Sequence, residues 1–260
     1  MRAQPQTSQQ SGDDKVKNGN KNPTRWITIC FDTSHDFCKP LYNVLYDGFC
    51  IEVKRGNDTE GHELYIEIPI HREKEGYEAG LRFLSEISWF FRTSVEVITW
   101  VSGGSKTKCN VANRKFPRVG NVINLDYYEQ IADSHLQKLG LGFFKEGISS
   151  KSNFYKFLSF FKIINIKYAN GPEQKKWINK NIIGLTRSRD KLNQLRKDGV
   201  TDFGEYLYHS GRCAIAHANI KPIIDVDAYD HNYRINVSAP IMQELADIFL
   251  RKELGLPKRF

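Results

Sequence analysis

Apolar and polar residues alternate with period two in several short segments of the first half of the chain. In the segment 62–70 this alternation places Leu64, Ile66, Ile68 and Ile70 on one face, which is the pattern of a half-buried strand. The same reasoning predicts strands at 26–31, 42–55 and 95–101, with a hairpin turn at the Asp-Gly pair 47–48. Helical spacing predicts one helix at 77–93, whose apolar face comprises Leu81, Leu84, Ile87, Ser88 and Phe91.

From Asp126 onward the apolar residues recur at helical spacing. We predict a connecting helix over 126–150, capped by Asp126, and then four helices. The first is capped by Asn153, the second starts at Gly171-Pro172 and ends before Gly199, the third starts near Asp202, and the fourth is capped by Ser238. In the first, the stripe of Phe154, Phe157, Leu158, Phe161 and Ile164 is expected to be core rather than a base-stacking platform.

These elements predict an α+β protein with a small N-terminal α+β domain at 24–125 and a C-terminal four-helix bundle at 151–260. Residues 1–23 are polar and carry few aliphatic side chains, so we expect a disordered tail. The chain has neither a signal-peptide pattern nor a stretch of about 18 apolar residues. A cytoplasmic protein with no membrane partner is therefore expected.

The net charge of +8 is concentrated in one part of the chain. Residues 145–200 contain thirteen lysines and arginines against four acidic residues, so the remainder of the chain is nearly neutral. This favours RNA or a nucleotide as partner, with Lys175, Lys176 and Lys180 as candidate phosphate contacts. The alternative is that these lysines only solvate exposed helix faces.

Five cysteines at irregular spacing, without a CxxC pair, argue against a disulfide framework and favour a reducing compartment. Cys30, His35, Cys38 and Cys50 would be the only zinc set, but their spacing matches no standard zinc site. We therefore predict no metal and no other cofactor.

Arg212 and His217 are separated by four small or apolar residues. Polar side chains in so apolar a segment are costly to bury, so they should face a cleft, a partner or a hydrogen-bond network. A regular helix separates positions five residues apart by about 140°, but the long arginine stem, a local distortion or a dimer axis can bring the two groups together. The histidine suits proton transfer to or from a ribose, and the arginine suits a phosphate. The alternative is that both residues only join helices.

The segment YHSGRCAIAHA, beginning at Tyr208, resembles the R-x4-6-H signature of the HEPN superfamily, many of whose four-helix members are endoribonucleases. The MauJ-like branch of this superfamily is resembled more closely, by the segments SGRCAIAHANIKPIIDVDAYD and KSNFYKFLSFFKII. This resemblance covers about residues 140–260. The resemblance implies that Arg212 and His217 are the catalytic pair. Cys213 departs from the pattern, because active family nucleases usually have a polar residue after the arginine. Tyr208 and His209 precede Arg212 by four and three residues, so they share its side of a helix and are candidate supporting residues.

The resulting hypothesis is a metal-independent endoribonuclease that acts as a toxin or antiviral-defence effector. Its N-terminal domain would sense a trigger or bind an antitoxin, and two copies would form a homodimer that lines one groove with both pairs. Two alternatives stay open: a non-catalytic module that binds a nucleotide or RNA, and a structural interaction protein. The carboxylates of Asp225, Asp227 and Asp230 form either a Mg²⁺ site or, as we favour, a solvated linker.

Overall fold

The computed structural model describes residues 23–57, 59–108, 116–117, 120–217 and 224–257. Within these ranges an antiparallel sheet is followed by a long helix and then by a helical region, so the chain is an α+β protein. The segment 1–22, which belongs to the predicted tail, lies outside the described residues.

The main sheet has five strands in the order β3-β4-β5-β1-β6, and every neighbouring pair is antiparallel. Its strands are β1 (Thr24–Thr33), β3 (Leu41–Tyr46), β4 (Phe49–Lys54), β5 (His62–Pro69) and β6 (Val95–Gly103). The predicted strands and hairpin are thereby confirmed. Asp47 and Gly48 have φ angles of 48° and 78°, the left-handed conformation that a tight two-residue hairpin turn requires.

A short parallel pair, β2 (Asp36–Phe37) with β7 (Val122–Ile123), was not predicted. Two residues are too few to show a period, so the alternation of apolar and polar positions gives no signal for it.

Helix α1 (Glu73–Phe91), preceded by a 3₁₀ turn (Ile70–Arg72), covers one face of the sheet. A Cβ atom at Gly76 or Gly80 would lie 2.7 Å from an isoleucine of the sheet, so glycine lets the helix approach closely. Phe83, Leu84 and Ile87 are fully buried. The predicted apolar face is only partly correct, because Leu81 and Phe91 are half-buried. The helix is buried on more than one side, since it packs against the helical region as well as the sheet.

Helix α2 (His135–Ser149) begins nine residues later than predicted. Its cap is Ser134, which forms a capping box with Gln137, and the prediction of Asp126 as cap is wrong. The reason lies in α1. Buried Glu86 accepts hydrogen bonds from the backbone N–H groups of Ile131 and Ala132, both at 3.0 Å, and these hold the segment before α2 out of a helix.

Six α-helical segments and one π-helix follow α2 in the described part of the chain. They are α3 (Asn153–Asn165), α4 (Gly171–Ile182), α5 (Arg189–Lys197), α6 (Phe203–Glu205), α7 (Ala214–Ala216) and α8 (Tyr229–Lys252), with a π-helix (Tyr206–Cys213) joining α6 to α7. We call the continuous stretch 203–216 the composite helix.

The predicted second helix is divided into α4 and α5. Buried Glu244 of α8 accepts the backbone N–H groups of Thr186, Arg187 and Ser188 at 2.8–3.1 Å. These bonds stabilise a bend where the sequence alone indicates one helix. The predicted end is confirmed, since Gly199 follows α5 with a φ of 86°.

The prediction that Ser238 caps the last helix is wrong, because α8 begins at Tyr229. The Ser238 hydroxyl donates to the carbonyl of Arg234, one turn earlier in the same helix, at 2.8 Å. Pro240 lies inside the helix, where its missing N–H leaves one carbonyl of the preceding turn without its helical partner.

The apolar stripe of α3 is confirmed as core. Phe154, Phe157, Phe161 and Ile164 are buried, whereas Leu158 is only half-buried. Helix α3 packs against α2 and α8. The sheet and the helical region are joined through α1, whose Trp89 indole donates to Asp247 of α8 at 3.1 Å.

Cys30 is disulfide-bonded, whereas Cys38, Cys50 and Cys213 are free thiols. One disulfide does not make a disulfide framework. Because Cys30 is oxidised, however, it cannot be one of the four zinc ligands considered above, and the cysteines no longer favour a reducing compartment.

No helix in the described part of the chain has the length and apolar character needed to cross a bilayer.

Candidate functional site

The composite helix carries the predicted catalytic arginine. Asp202 caps its N-terminus, and the Asp202 carboxylate accepts the N–H of Glu205 at 2.9 Å. The start of this helix near Asp202 is therefore as predicted. Its central eight residues are π-helical, which is unusually long for a conformation that occurs mostly as single turns and often at functional sites. A local distortion, one of the alternatives considered for bringing Arg212 and His217 together, is therefore present at Arg212.

The π-helical part of the composite helix packs closely against helix α3 at Gly211. A Cβ atom at Gly211 would lie 2.3 Å from the ring of Phe157, so only glycine fits between the composite helix and α3. Phe157 is fully buried. The position of Arg212 thus depends on the packing of its neighbour against the core.

Arg212 is half-buried, and the contacts that its side chain makes with described residues lie within its own helix. Its Nη1 donates to the Cys213 Sγ at 3.6 Å, and its guanidinium carbon lies 5.8 Å from the centre of the Tyr208 ring. In the part of the chain that is described, no carboxylate pairs with it. A thiol and an aromatic ring leave its positive charge largely uncompensated, so the guanidinium is available to an anion.

The predicted supporting residues form one cluster around Glu205 and the Tyr208 ring. Lys175 of α4 lies 2.7 Å from a Glu205 carboxylate oxygen and 5.6 Å from the centre of the Tyr208 ring. His209 pairs with the same carboxylate at 3.1 Å. The hydrogen bond to Glu205 raises the pKa of Lys175. Lys175, Tyr208, His209 and Arg212 are therefore brought together, whereas Lys176 and Lys180 are exposed elsewhere on α4.

His217 is not part of the helix that carries Arg212. It follows the last residue of α7 with an extended backbone, φ −134° and ψ 111°, and its N–H donates to the Cys213 carbonyl at 3.0 Å. Its ring is exposed, and no hydrogen bond between described atoms joins it to Arg212. We predicted that one helix holds both residues. Arg212 does lie in the composite helix, but His217 does not, because the helix ends at Ala216.

A groove of about 660 Å³ runs beside the residues between Arg212 and His217. It is lined by Ala214 and Ile215, by the start of α3, and by the segment before α8. Neither Arg212 nor His217 is among its described lining residues. This groove, as far as the described residues define it, therefore does not bring the two groups together.

The acidic segment before α8 forms a turn. The N–H of Asp227 donates to a carboxylate oxygen of Asp225 at 2.9 Å. Asp230 lies in the first turn of α8. Over the described ranges, no three His, Cys, Asp or Glu side chains are arranged to hold a metal ion.

Two groups of charged residues in the structure were not predicted from the sequence. Asp247 pairs with Arg92, Arg187 and Arg251, and Lys145 is nearly buried beside a cleft. The three arginines are far apart along the chain, so no local pattern joins them. Lys145 offered one signal, since it follows directly on Phe143 and Phe144 within a helical apolar pattern.

Comparison with known proteins connects the helical region to one family. The model of a family described as Methylamine utilization protein MauJ matches residues 141–251, which run from α2 to α8 and include Arg212 and His217. The match does not extend to the sheet. No curated protein and no solved structure matches the chain.

Proposed function

We propose that the region matched by the MauJ model is a HEPN-like domain that cleaves RNA without a metal, with Arg212 and His217 as the catalytic residues. The observation that carries this proposal is the half-buried Arg212, whose guanidinium contacts, among the described residues, a thiol and an aromatic ring but no carboxylate. An exposed histidine lies five residues further along the chain. The same surface holds Lys175, which adds a second cation next to the Tyr208 ring.

The chemistry needs a base, an acid and a group that stabilises negative charge. A histidine removes the proton of a ribose 2′-OH, whose oxygen attacks the adjacent phosphorus, while a second proton donor protonates the departing 5′ oxygen. The arginine stabilises the charge on the non-bridging phosphate oxygens. The products carry a 2′,3′-cyclic phosphate and a 5′-hydroxyl. Because one copy supplies one His217, a homodimer with two copies of the Arg212 and His217 pair provides both the base and the acid.

A non-catalytic module that binds RNA or a nucleotide is the second candidate. It is favoured by Cys213, which is buried and holds the arginine through a weak hydrogen bond. Active members of the HEPN superfamily usually have a polar residue there. A purely structural role for Arg212 is less well supported, because the two side-chain contacts that it makes with described residues both lie in the composite helix.

The role as a toxin or antiviral-defence effector is part of the same proposal. The N-terminal sheet would then bind the trigger or an antitoxin. Strands β3 and β6 are at the two edges of the sheet, and edge strands can pair with a partner's strand.

Incubation of the purified protein with total RNA in EDTA tests the proposal. Wild type should cleave, and its products should end in 2′,3′-cyclic phosphate. His217→Ala should reduce the rate by roughly 10²- to 10⁴-fold, which is the usual contribution of one acid-base group. His231→Ala, in α8, is the matched control and should retain activity. Cleavage that requires Mg²⁺ would contradict the mechanism, and RNA binding without cleavage would favour the second candidate.

A further inference from the structure

A cleft of about 750 Å³ lies between strand β6 and helices α2 and α3. This volume falls within the range of small-molecule sites, which often lie where two structural units meet. None of its described lining residues belongs to the composite helix. It is therefore separate from the surface around Arg212 and is not used by the proposed cleavage of RNA.

The walls of the cleft are held together by hydrogen bonds. The Ser149 hydroxyl accepts the backbone N–H of Val95 at 2.8 Å and donates to the Val95 carbonyl at 3.0 Å. The Ser94 hydroxyl donates to the carbonyl of Ile148 at 3.0 Å. The end of α2 is thus fixed to the start of β6, and the cleft is formed before any ligand binds.

Lys145 lines this cleft with an almost buried side chain, and it also lines a smaller cleft between α1 and α2. Its side chain is 12% exposed, and its ion pair is with Glu146 at 3.7 Å. That distance is longer than a normal hydrogen bond, and the Glu146 side chain is 68% exposed, so water competes for it. Burial lowers the pKa of Lys145, while Glu146 opposes this in part. A buried ammonium with so weak a partner is unfavourable unless an anion approaches it.

Further donors surround the same space. Lys151 and Lys162 line the cleft with exposed side chains, and Tyr155 and Ser159 add hydroxyl groups. Two carboxylates, Glu96 and Glu146, also line it. We propose that this cleft binds a small metabolite bearing phosphate or carboxylate groups, with Lys145 paired to its anionic oxygens.

Isothermal titration calorimetry with pyrophosphate and, separately, with citrate tests this site at constant ionic strength. At least one of the two anions should bind wild type saturably, with one site per chain. Lys145→Met should weaken that binding by about tenfold or more, because a charge-assisted hydrogen bond is lost. Lys191→Met, at an exposed position of α5, is the control and should bind as wild type does. The anion that binds more tightly identifies phosphate or carboxylate as the preferred group.

Absence of saturable binding by both anions would overturn the proposal, as would equal affinities of Lys145→Met and wild type. Competition with RNA separates this site from the proposed nuclease surface. Single-stranded RNA should bind the His217→Ala variant without displacing the small anion. Displacement would assign the cleft to RNA and overturn its assignment to a small metabolite.

Discussion

At the scale of single residues, Lys145 and Arg212 are both cations that the fold leaves poorly compensated. Lys145 has one distant carboxylate, and Arg212 has a thiol and a ring. Residues selected for stability alone tend to be fully paired when buried. A buried or half-buried cation with only weak partners lowers stability, so its presence is a reason to look for a ligand.

Lys145→Met should stabilise the protein at neutral pH. Burial lowers the pKa of Lys145 in the folded state below its unfolded value. The folded protein therefore pays for a buried charge at every pH below the folded pKa, and this cost disappears as the pH rises to the ordinary lysine value of about 10.4. Melting temperatures of wild type and variant, measured between about pH 6 and pH 10, should differ most at low pH and converge at high pH.

Lys191→Met is the control for this measurement, since its side chain is exposed and its replacement should not change the melting temperature. A variant at Lys145 that melts lower than wild type throughout the range would show that the amine stabilises the fold.

At the scale of elements, the composite helix depends on Gly211. A methyl group there would lie 2.3 Å from the Phe157 ring, which has no space to move in the core. Gly211→Ala should therefore lower the free energy of unfolding by about 1–3 kcal/mol, the usual cost of overpacking. Because the displaced residue precedes Arg212, RNA cleavage should fall as well.

Gly142→Ala in α2 is the matched control for that prediction. A Cβ atom there meets nothing within 4 Å, so alanine should raise the free energy of unfolding by up to about 1 kcal/mol through its higher helix propensity. Urea denaturation of both variants measures the two effects. Equal effects on stability would show that the contact with Phe157 is not what requires glycine.

A second prediction about the helices concerns RNA binding by the lysines of α4. If this helix binds RNA, affinity should fall as salt rises, because phosphate contacts release counterions. Charge reversal to glutamate at Lys175, Lys176 and Lys180 should weaken binding and reduce the slope of affinity against salt. Filter binding with a fluorescent oligonucleotide measures both. Reversal at Lys191, Arg196 and Lys197 of α5 is the matched control, and an equal loss there would show that only net charge matters.

At the scale of the whole molecule, we predict a two-fold dimer whose axis passes near the composite helix. One copy places His217 beyond the helix end and outside the neighbouring groove, so a single pair is an incomplete site. Two copies across a symmetric interface would supply two arginines and two histidines. Light scattering at micromolar concentration should report twice the mass of one chain.

Mixing two inactive variants tests the shared site more directly. Arg212→Ala and His217→Ala subunits, mixed and allowed to exchange, should recover part of the activity if one site takes its arginine and histidine from different chains. Each variant incubated alone is the control. A monomer that cleaves RNA at the full rate would contradict the dimer model.

The elements whose pattern is local follow from the amino-acid sequence alone. The strands of the sheet, the hairpin at Asp47-Gly48 and the buried stripe of α3 were all predictable, because alternation, turn chemistry and helical spacing depend on neighbouring residues. The arginine in its apolar segment was also visible, and the MauJ model matches that same region.

The boundaries of several elements depend instead on contacts between distant parts of the chain. Glu86 holds the segment before α2 outside a helix, and Glu244 separates α4 from α5. These carboxylates satisfy backbone N–H groups more than 40 residues away in sequence, which no local pattern reveals. The cleft around Lys145 likewise exists because α2 packs against β6. Hydrogen bonds and burial between distant segments outweigh helix propensities of a few tenths of a kcal/mol per residue, and so they determine these boundaries.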